Sequence, residues 1–333
     1  MKKTLIALLL AVSMLSTQVC AREQNQLIKL YHSSEPDKRL LATFESAIKN
    51  AQESILILTF TFSDHDLIRL INEKAEAGVD VTVVINADHS GTLLRHRNPK
   101  VKMLTRPPGD GRIHHKILVV DDRSVWLGSA NFSSTAFTDQ ENLVAGFESK
   151  QLACAIRDEA RVFEGIRKRD GGFIFSEMLN NQEISLYLLP HVNPNRKNPE
   201  EMLNKSGKDC LLAIINNAKS HIRIAMMAWT DTDLASAILE AHRRGVAVEV
   251  LMQSYMDPVP MQLKAAGITV KAHRHSSLMH SKWMWVDGHT LVNGSANWSR
   301  SSFSRNDESF VVIKNLSQDQ QRFMEDYWTY LVN

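Results

Sequence analysis

The chain has 333 residues, enough for two domains or one large domain with an ample core. Hydrophobic residues make up 44% of it and charged residues 23%, which excludes a disordered or low-complexity protein. Its 39 Lys and Arg against 37 Asp and Glu lack the strong positive field of a non-specific nucleic-acid binder, so any attraction for phosphate must be local.

The first 21 residues have the pattern of a cleavable signal peptide. Two lysines precede an apolar run at 5–15, and small residues at Val19 and Ala21 predict cleavage after Ala21. The run is shorter than the roughly 20 residues of a membrane span. A lipid anchor on Cys20 is the alternative, which Val19 before it disfavours. We therefore expect an exported protein, periplasmic or secreted, whose mature form carries no net charge.

An internal duplication organises the remaining chain, because matching patterns recur at an offset of 166 or 167 residues. Each copy has an apolar run, an Asp-x-Asp-Leu sequence, a helical pattern that ends in glycine, and a second strand. These features lie at 54–60, Asp64, Gly78 and 79–85, and again at 220–227, Asp231, Gly245 and 246–251. Short apolar strands that alternate with amphipathic helices indicate α/β units around a buried sheet.

The halves divide near Gly171 and Gly172, which places repeat 1 at 22–172 and repeat 2 at 173–333. A loop at 190–205, rich in Pro, Asn and basic residues, is interpreted as an insertion, with a lid as the alternative. Ser317 and Gln320 have the spacing of a capping box that opens a C-terminal helix.

One motif, His-x-Lys-x4-Asp-x6-Gly-Ser-x-Asn, occurs once in each half with identical spacing. The first copy consists of His114, Lys116, Asp121, Gly128, Ser129 and Asn131; the second consists of His280, Lys282, Asp287, Gly294, Ser295 and Asn297.

Each copy has the chemistry of a phosphate cradle. His and Lys two apart on a strand share one face and can hold a phosphate group between them. The glycine allows close backbone approach, and Ser and Asn supply hydrogen bonds to phosphate oxygens, so Ser129 and Ser295 are predicted to bind substrate. Two facing copies support catalysis without metal: one neutral histidine attacks phosphorus, and the other, protonated, protonates the leaving oxygen.

The doubled motif resembles that of the phospholipase D superfamily, and the resemblance spans nearly the whole mature chain. It implies two α/β repeats, each a mixed sheet flanked by helices, related by a pseudo-twofold axis with the active site at the seam. It also implies a phosphohistidine intermediate, with neither metal nor cofactor. By this resemblance His114 is the nucleophile and His280 the general acid and base.

The resemblance further implies roles for four acidic residues. Asp121 and Asp287 of the motif are expected to be structural. Glu141 and Glu308, downstream at matching positions, are expected to orient the histidines.

Residues around the motifs leave alternatives open. Trp298, directly after Asn297, is predicted to line a substrate pocket. A basic run is either a solvated face or a basic entrance to the site; it consists of Arg95, Arg97, Lys100, Lys102, Arg106 and Arg112. Cys154 and Cys210 are either bridged, which export permits, or separate thiols.

The sequence therefore predicts an exported, metal-independent phosphodiesterase. Phospholipase D activity on glycerophospholipids at a membrane surface, with transfer to an alcohol as an extension, is the first hypothesis. A nuclease acting on DNA or RNA is the second. A secreted effector that binds a membrane or host partner is the third. Because one chain carries both motifs, a monomer suffices for a complete site.

Overall fold

The computed structural model describes residues 27–106, 111–165, 173–189, 207–254 and 256–333. The predicted signal peptide, the glycine pair at 171–172 and the loop at 190–205 lie outside the described residues.

The first half forms a seven-stranded sheet with helices packed on it. Its strands are β1 (Ile28–His32), β2 (Ser54–Thr59), β3 (Asp80–Ile85), β4 (Lys102–Thr105), β5 (Lys116–Val120), β6 (Ser124–Gly128) and β8 (Leu143–Glu148); β7 (Gln140–Glu141) lies apart. Its helices are α1 (Arg39–Asn50), α2 (His65–Glu76), α3 (Gly91–His96), α4 (Ser134–Thr138) and α5 (Lys150–Phe163), with 3₁₀ turns at Pro36–Lys38 and Ala87–His89. The strand order is β1-β8-β6-β5-β2-β3-β4.

The second half forms an eight-stranded sheet on the same plan. Its strands are β9 (Phe173–Leu179), β10 (Gln182–Leu188), β11 (His221–Met226), β12 (Ala247–Met252), β13 (Thr269–Ala272), β15 (Lys282–Val286), β16 (Thr290–Gly294) and β17 (Ser309–Lys314); β14 (Leu278–Met279) pairs with β7. Its helices are α6 (Gly207–Asn217), α7 (Thr232–Arg243), α8 (Pro258–Ala265), α9 (Arg300–Ser304) and α10 (Gln318–Val332). The strand order is β13-β12-β11-β15-β16-β17-β10-β9.

The two sheets repeat one topology in register. In each, three parallel strands (β2-β3-β4 and β11-β12-β13) adjoin an antiparallel meander. The motif lysines open equivalent strands, because Lys116 pairs with Thr59 and Lys282 with Met226. The prediction of two α/β repeats, each a mixed sheet flanked by helices, is confirmed.

The sheets pack face to face over a shared apolar core. Leu56, Val119, Trp283 and Val311 belong to this core between the sheets. Two further cores fill the outer faces, one beneath α1 and α2 and one beneath α6 and α7. The molecule is thus layered helix–sheet–sheet–helix, which brings the motif-bearing ends of the sheets together.

Local signals account for the helix ends. Gly78 and Gly245 have φ of 95° and 91°, a left-handed conformation that glycine adopts without strain after a helix. Ser317 and Gln320 form the predicted capping box at the start of α10.

In the described part of the chain, no helix has the length and apolarity needed to cross a bilayer. Cys154 and Cys210 are separate thiols.

Candidate active site at the seam

Each motif histidine is held by the backbone of the opposite half. The amide of His114 donates to the carbonyl of Asp307 at 2.8 Å, and that of His280 donates to the carbonyl of Glu141 at 3.1 Å. The segments before the histidines also pair across the seam, Ile113 with Asp307 and β14 with β7. The position of each histidine therefore depends on the other repeat.

A buried carboxylate orients His114. Nδ1 of His114 lies 2.7 Å from Oε2 of Glu308. Glu308 is fully buried, and its Oε2 also accepts a hydrogen bond from Ser295 Oγ at 2.7 Å. Burial alone would raise the pKa of Glu308, but the charges of His114 and Lys116 outweigh it and the pKa lies below its ordinary value. The ionised carboxylate favours a hydrogen on Nδ1 and leaves Nε2 of His114 as the reactive nitrogen.

An amide occupies the same place beside His280. Nδ1 of His280 lies 2.8 Å from Oδ1 of Asn142. The amide is fixed because Nδ2 donates to the carbonyl of Ala136 at 2.8 Å and Ser129 Oγ donates to Oδ1 at 2.9 Å. Since the amide oxygen faces the imidazole, Nδ1 of His280 carries the hydrogen and Nε2 has a free lone pair.

The structure places Glu141 differently from the expectation that it orients a histidine. Strand register makes Asn142 the equivalent of Glu308, since each stands two residues before the partner of the motif glycine, Gly128 or Gly294. Glu141 stands one residue earlier, in a separate buried network. Its carboxylate accepts hydrogen bonds from three hydroxyls, those of Ser34, Ser277 and Tyr330.

The two motif lysines are buried at the base of the site. Nζ of Lys116 donates to the carbonyl of His114 at 2.6 Å, and Nζ of Lys282 donates to that of His280. Burial lowers the pKa of Lys116 to about 7. Burial and then the charge of Lys116 lower the pKa of Lys282 well below its ordinary value. The lysines thus act on one another across the seam.

The pKa values of both imidazoles depend on burial and on the charges of the two lysines. Burial lowers the pKa of His114, an effect that Glu308 opposes and both lysines reinforce. Burial, Lys282, Lys116 and His114 together hold the pKa of His280 well below its ordinary value. Because each histidine responds to charges from both halves, the two motifs form one site, and it favours the binding of an anion.

The motif asparagines retain free hydrogen-bonding capacity. Oδ1 of Asn131 and Oδ1 of Asn297 are buried and have no hydrogen-bond partner among the described residues. Buried polar atoms are ordinarily satisfied, so these amides are placed to bind a ligand.

The motif glycines permit a close backbone approach. A Cβ on Gly128 would collide with the carbonyl of Leu143, and one on Gly294 with the carbonyl of Ser309. These carbonyls directly follow Asn142 and Glu308. Glycine therefore allows the strand carrying each histidine-orienting residue to close on the motif turn.

The structure places Ser129 and Ser295, which were predicted to bind substrate, behind the residues that hold the imidazoles. Both are fully buried, and their hydroxyls donate to Asn142 and Glu308 respectively. Trp298, predicted to line a substrate pocket, borders a cavity of about 10 Å³ beside Lys282, which has room for one water molecule at most. It is 3% exposed and packs edge-on against Trp229, with ring centroids 4.5 Å apart.

The motif aspartates hold the ends of neighbouring strands. The carboxylate of Asp121 accepts hydrogen bonds from the amides that open β2, the last being that of Ser54 at 3.0 Å. Asp287 does the same for β11 through the amides of Lys219, Ser220 and His221. Both lie at the tips of turns, away from the imidazoles.

Two residues that the sequence reasoning missed flank the lysines. The ring of Phe60 lies 5.3 Å from that of His114 and 5.7 Å from Nζ of Lys116. Met227 places its sulfur 3.5 Å from Nζ of Lys282. Phe60 and Met227 stand at the repeat offset of 167 and are the last residues of their apolar runs, and that coincidence was the available signal.

Much of the basic run before the first motif is paired. Lys100 and Lys102 form ion pairs with Glu76 and Glu164, and Arg106 lies 3.2 Å from Asp307. These pairs neutralise three of the six charges that a basic entrance would use.

Comparison with known proteins assigns the family. A family model described as "Cardiolipin synthase, PLD-like domain" matches residues 44–162 and again residues 211–330. The chain belongs to the phospholipase D-like family. Its members related to this chain are phosphodiesterase-type enzymes.

Cardiolipin synthase B of Salmonella typhi is 26% identical over 341 aligned positions, covering 90% of this chain and 79% of that protein. Mitochondrial cardiolipin hydrolase of Xenopus laevis is 31% identical over 127 residues, covering 35% of this chain and 60% of that protein. The chain spans 48–60% of the length of four mitochondrial cardiolipin hydrolases that it matches.

A solved structure supports the two-repeat architecture. The phosphatidylserine synthase of Haemophilus influenzae superposes with a TM-score of 0.69 at 13% identity, covering 92% of this chain and 87% of that one. At this identity the likeness concerns the fold. It agrees with two phospholipase D-like repeats in one chain.

Proposed function

We propose that this protein is a metal-independent phosphodiesterase that cleaves phospholipids through a phosphohistidine on His114. The observation that carries the proposal is the pairing of two histidines with two lysines in one buried cleft, each imidazole fixed by a residue of the other repeat. A phosphodiester bound there lies between two Nε2 atoms and beside two ammonium groups.

The first step is attack by Nε2 of His114 on phosphorus. The phosphorus–oxygen bond to the leaving alcohol breaks, and protonated His280 donates a proton to that oxygen. Glu308 stabilises the positive imidazole of the phosphohistidine. His280, now neutral, removes a proton from water or a second alcohol, which attacks phosphorus and releases His114.

The lysines and asparagines stabilise the charge on phosphate. Lys116 and Lys282 can neutralise the non-bridging oxygens, a role that metal ions have in many phosphoryl-transfer sites. Asn131 and Asn297 can donate to phosphate oxygens through Nδ2, while their unpaired Oδ1 atoms can accept from a hydroxyl of the substrate or the attacking water.

The substrate class rests on two supports. The similarity to cardiolipin synthase B extends over 90% of the chain, and ion pairs hold three of the six basic residues before the first motif, which reduces the free charge for a nucleic-acid backbone. We extend the proposal to an exported monomer that acts at a phospholipid surface, on the basis of the predicted signal peptide and the presence of both motifs in one chain.

The test is a substrate panel with the purified protein in EDTA. Vesicles of phosphatidylcholine, phosphatidylglycerol or cardiolipin, with and without added glycerol, are compared with single-stranded DNA. We expect headgroup release or phosphatidyl transfer, lost in the His114→Ala, His280→Ala double variant. DNA cleavage without lipid turnover would replace the lipid substrate with a nucleic acid, and activity in the double variant would refute the mechanism.

A further inference from the structure

Two segments at the edge of the site expose apolar side chains. Among the described residues, five large hydrophobic side chains are exposed, and three of them lie on the segments that follow β3 and β12. Leu94 on α3 is 50% exposed, Met261 on α8 is 52% exposed, and Met256 just before α8 is 68% exposed. Leu94 and Met261 stand at the repeat offset of 167, so they are equivalent positions in the two halves.

Both segments begin beside the catalytic histidines. Oδ1 of Asn86, directly after β3, accepts the amide of Ile113 at 3.2 Å, one residue before His114. At the equivalent place Gln253 accepts the amide of Met279 at 2.6 Å, one residue before His280. The segments therefore start at the two sides of one site.

Strand direction places the rest of each segment at the same edge of the molecule. β3 and β12 run parallel to β2 and β11, whose C-terminal residues Thr59 and Met226 pair with Lys116 and Lys282. The chain leaving β3 and β12 thus emerges where the lysines lie. In the first segment His89 contacts Phe60, with ring centroids 4.0 Å apart, and Phe60 contacts His114.

The charges on these segments suit an anionic surface. The first carries exposed Arg95 and half-buried Arg97, which donates to the carbonyl of Val101, against Asp88. The second carries Lys264 against Asp257, and exposed Arg274 follows β13 at the same edge. Aliphatic tips with basic neighbours are typical of protein surfaces that enter the headgroup region of a bilayer. Among the described residues of the two segments (86–97, 253–254 and 256–265), the exposed large hydrophobic side chains are all aliphatic, whereas surfaces for single-stranded nucleic acid use aromatic rings for stacking.

We propose that two apolar tips, Leu94 on the first segment and Met256 with Met261 on the second, insert into an anionic phospholipid surface and position the cleft over it. The inference rests on the proposed function for its choice of lipid, and it assigns the surface by which the site reaches a substrate held in a bilayer. Insertion on both sides of the site would hold the opening against the headgroups.

The test is sedimentation of the full-length protein with vesicles of phosphatidylcholine containing phosphatidylglycerol. We expect the Leu94→Asp, Met261→Asp double variant to bind at least about tenfold more weakly than wild type, because two carboxylates replace two inserted side chains. Met178→Asp is the matched control: Met178 is 59% exposed on β9, at the opposite edge of the second sheet. The control is expected to bind as wild type does. Equal thermal melting temperatures verify that the variants fold.

Binding by the double variant within about twofold of wild type, or an equal loss in the Met178→Asp control, would overturn the proposal. So would an equal loss of binding to single-stranded DNA, since the tips would then serve a nucleic acid. Headgroup release is measured separately. If vesicle binding depends on the apolar tips but no headgroup is released, the proposed function is refuted and the proposed binding surface is supported. If headgroups are released but binding does not depend on the tips, the proposed function is supported and the binding surface is refuted.

Discussion

Asn142 holds His280 as Glu308 holds His114. Oδ1 of Asn142 lies 2.8 Å from Nδ1 of His280, and Oε2 of Glu308 lies 2.7 Å from Nδ1 of His114. The two residues occupy equivalent backbone positions in the two repeats, yet one is neutral and the other is a carboxylate. The pseudo-twofold site is therefore electrostatically asymmetric.

This asymmetry favours different roles for the two histidines. Attack by Nε2 of His114 on phosphorus leaves a positive ring, which the carboxylate of Glu308 stabilises. His280, next to an amide, has no such support and keeps a low pKa. The charge of a bound phosphodiester raises this pKa, so His280 takes up a proton as substrate binds and then donates it to the leaving alcohol.

A carboxylate beside His280 should reduce the asymmetry. In Asn142→Asp we expect the pKa of His280 to rise by about one unit or more, because a nearby negative charge favours the imidazolium. The limb of the pH–kcat/KM profile on which His280 loses its proton should move to higher pH. The profile of a soluble phosphodiester and the NMR titration of the ring measure this shift. Unchanged values in both would contradict the role assigned to Asn142.

The mirror variant tests the other histidine. Glu308→Gln keeps a hydrogen-bond acceptor beside His114 but removes the charge, so we expect kcat to fall by about 10²-fold or more. Ring titration should show a further lowered pKa for His114. If kcat stayed within about twofold of wild type, the carboxylate would have no part in stabilising the intermediate.

Phosphate binding should be coupled to proton uptake. Burial lowers the pKa of Lys116 to about 7, and burial together with the charge of Lys116 holds the pKa of Lys282 well below its ordinary value. At pH 8 Lys116 of the empty site is therefore largely deprotonated. A bound anion raises both pKa values, and protons enter with it. Calorimetry with inorganic phosphate at pH 8, in two buffers of different ionisation enthalpy, gives the number of protons. We expect net uptake, reduced in Lys282→Met; release of protons would contradict the charge balance.

Asp287 should stabilise the fold in a pH-dependent way. Burial alone would raise its pKa, but the amide and hydroxyl donors of 219–221 outweigh this and lower the pKa to about 2 from 3.8. A depressed pKa gives stability that is full above 3.8 and is lost as the pH falls towards 2. Asp287→Asn should cost about 1–3 kcal/mol at pH 7.

Urea unfolding between pH 7 and pH 2 measures that difference. Asparagine tolerates the φ of 52° at this position, so the substitution isolates the charge from backbone strain. We expect the wild type and the variant to converge towards pH 2. A constant difference in the free energy of unfolding across this range would show that the carboxylate charge is not the cause.

The repeat made the fold and most of the site predictable from the sequence. Matching spacings identified the two motifs, but the strands predicted to carry His114 and His280 begin two residues later, at Lys116 and Lys282. The expectation for Glu141 was wrong by one residue. Glu141 shares its acidic side chain with Glu308, but the offset of 166 leads from Asn142 to Glu308. Only the strand register distinguishes the two neighbours.

Side-chain direction at turns was beyond the sequence. Ser129 and Ser295 follow the motif glycines, and sequence patterns do not say whether a hydroxyl after a tight turn faces the cleft or the strand behind it. Trp298 turns into the outer core because its carbonyl is fixed by the amides of Thr230 and Asp231. Such choices depend on contacts between distant segments.

The most direct test of the mechanism is a search for the covalent intermediate in His280→Ala. Bis(p-nitrophenyl) phosphate has a leaving group that needs no proton, so the first step proceeds without His280 while the second has no base to activate water. We predict a burst of one nitrophenolate per site and a phosphoryl adduct on His114 in an alkaline-quenched peptide digest. An equal burst in His114→Ala, or an adduct on another residue, would contradict it.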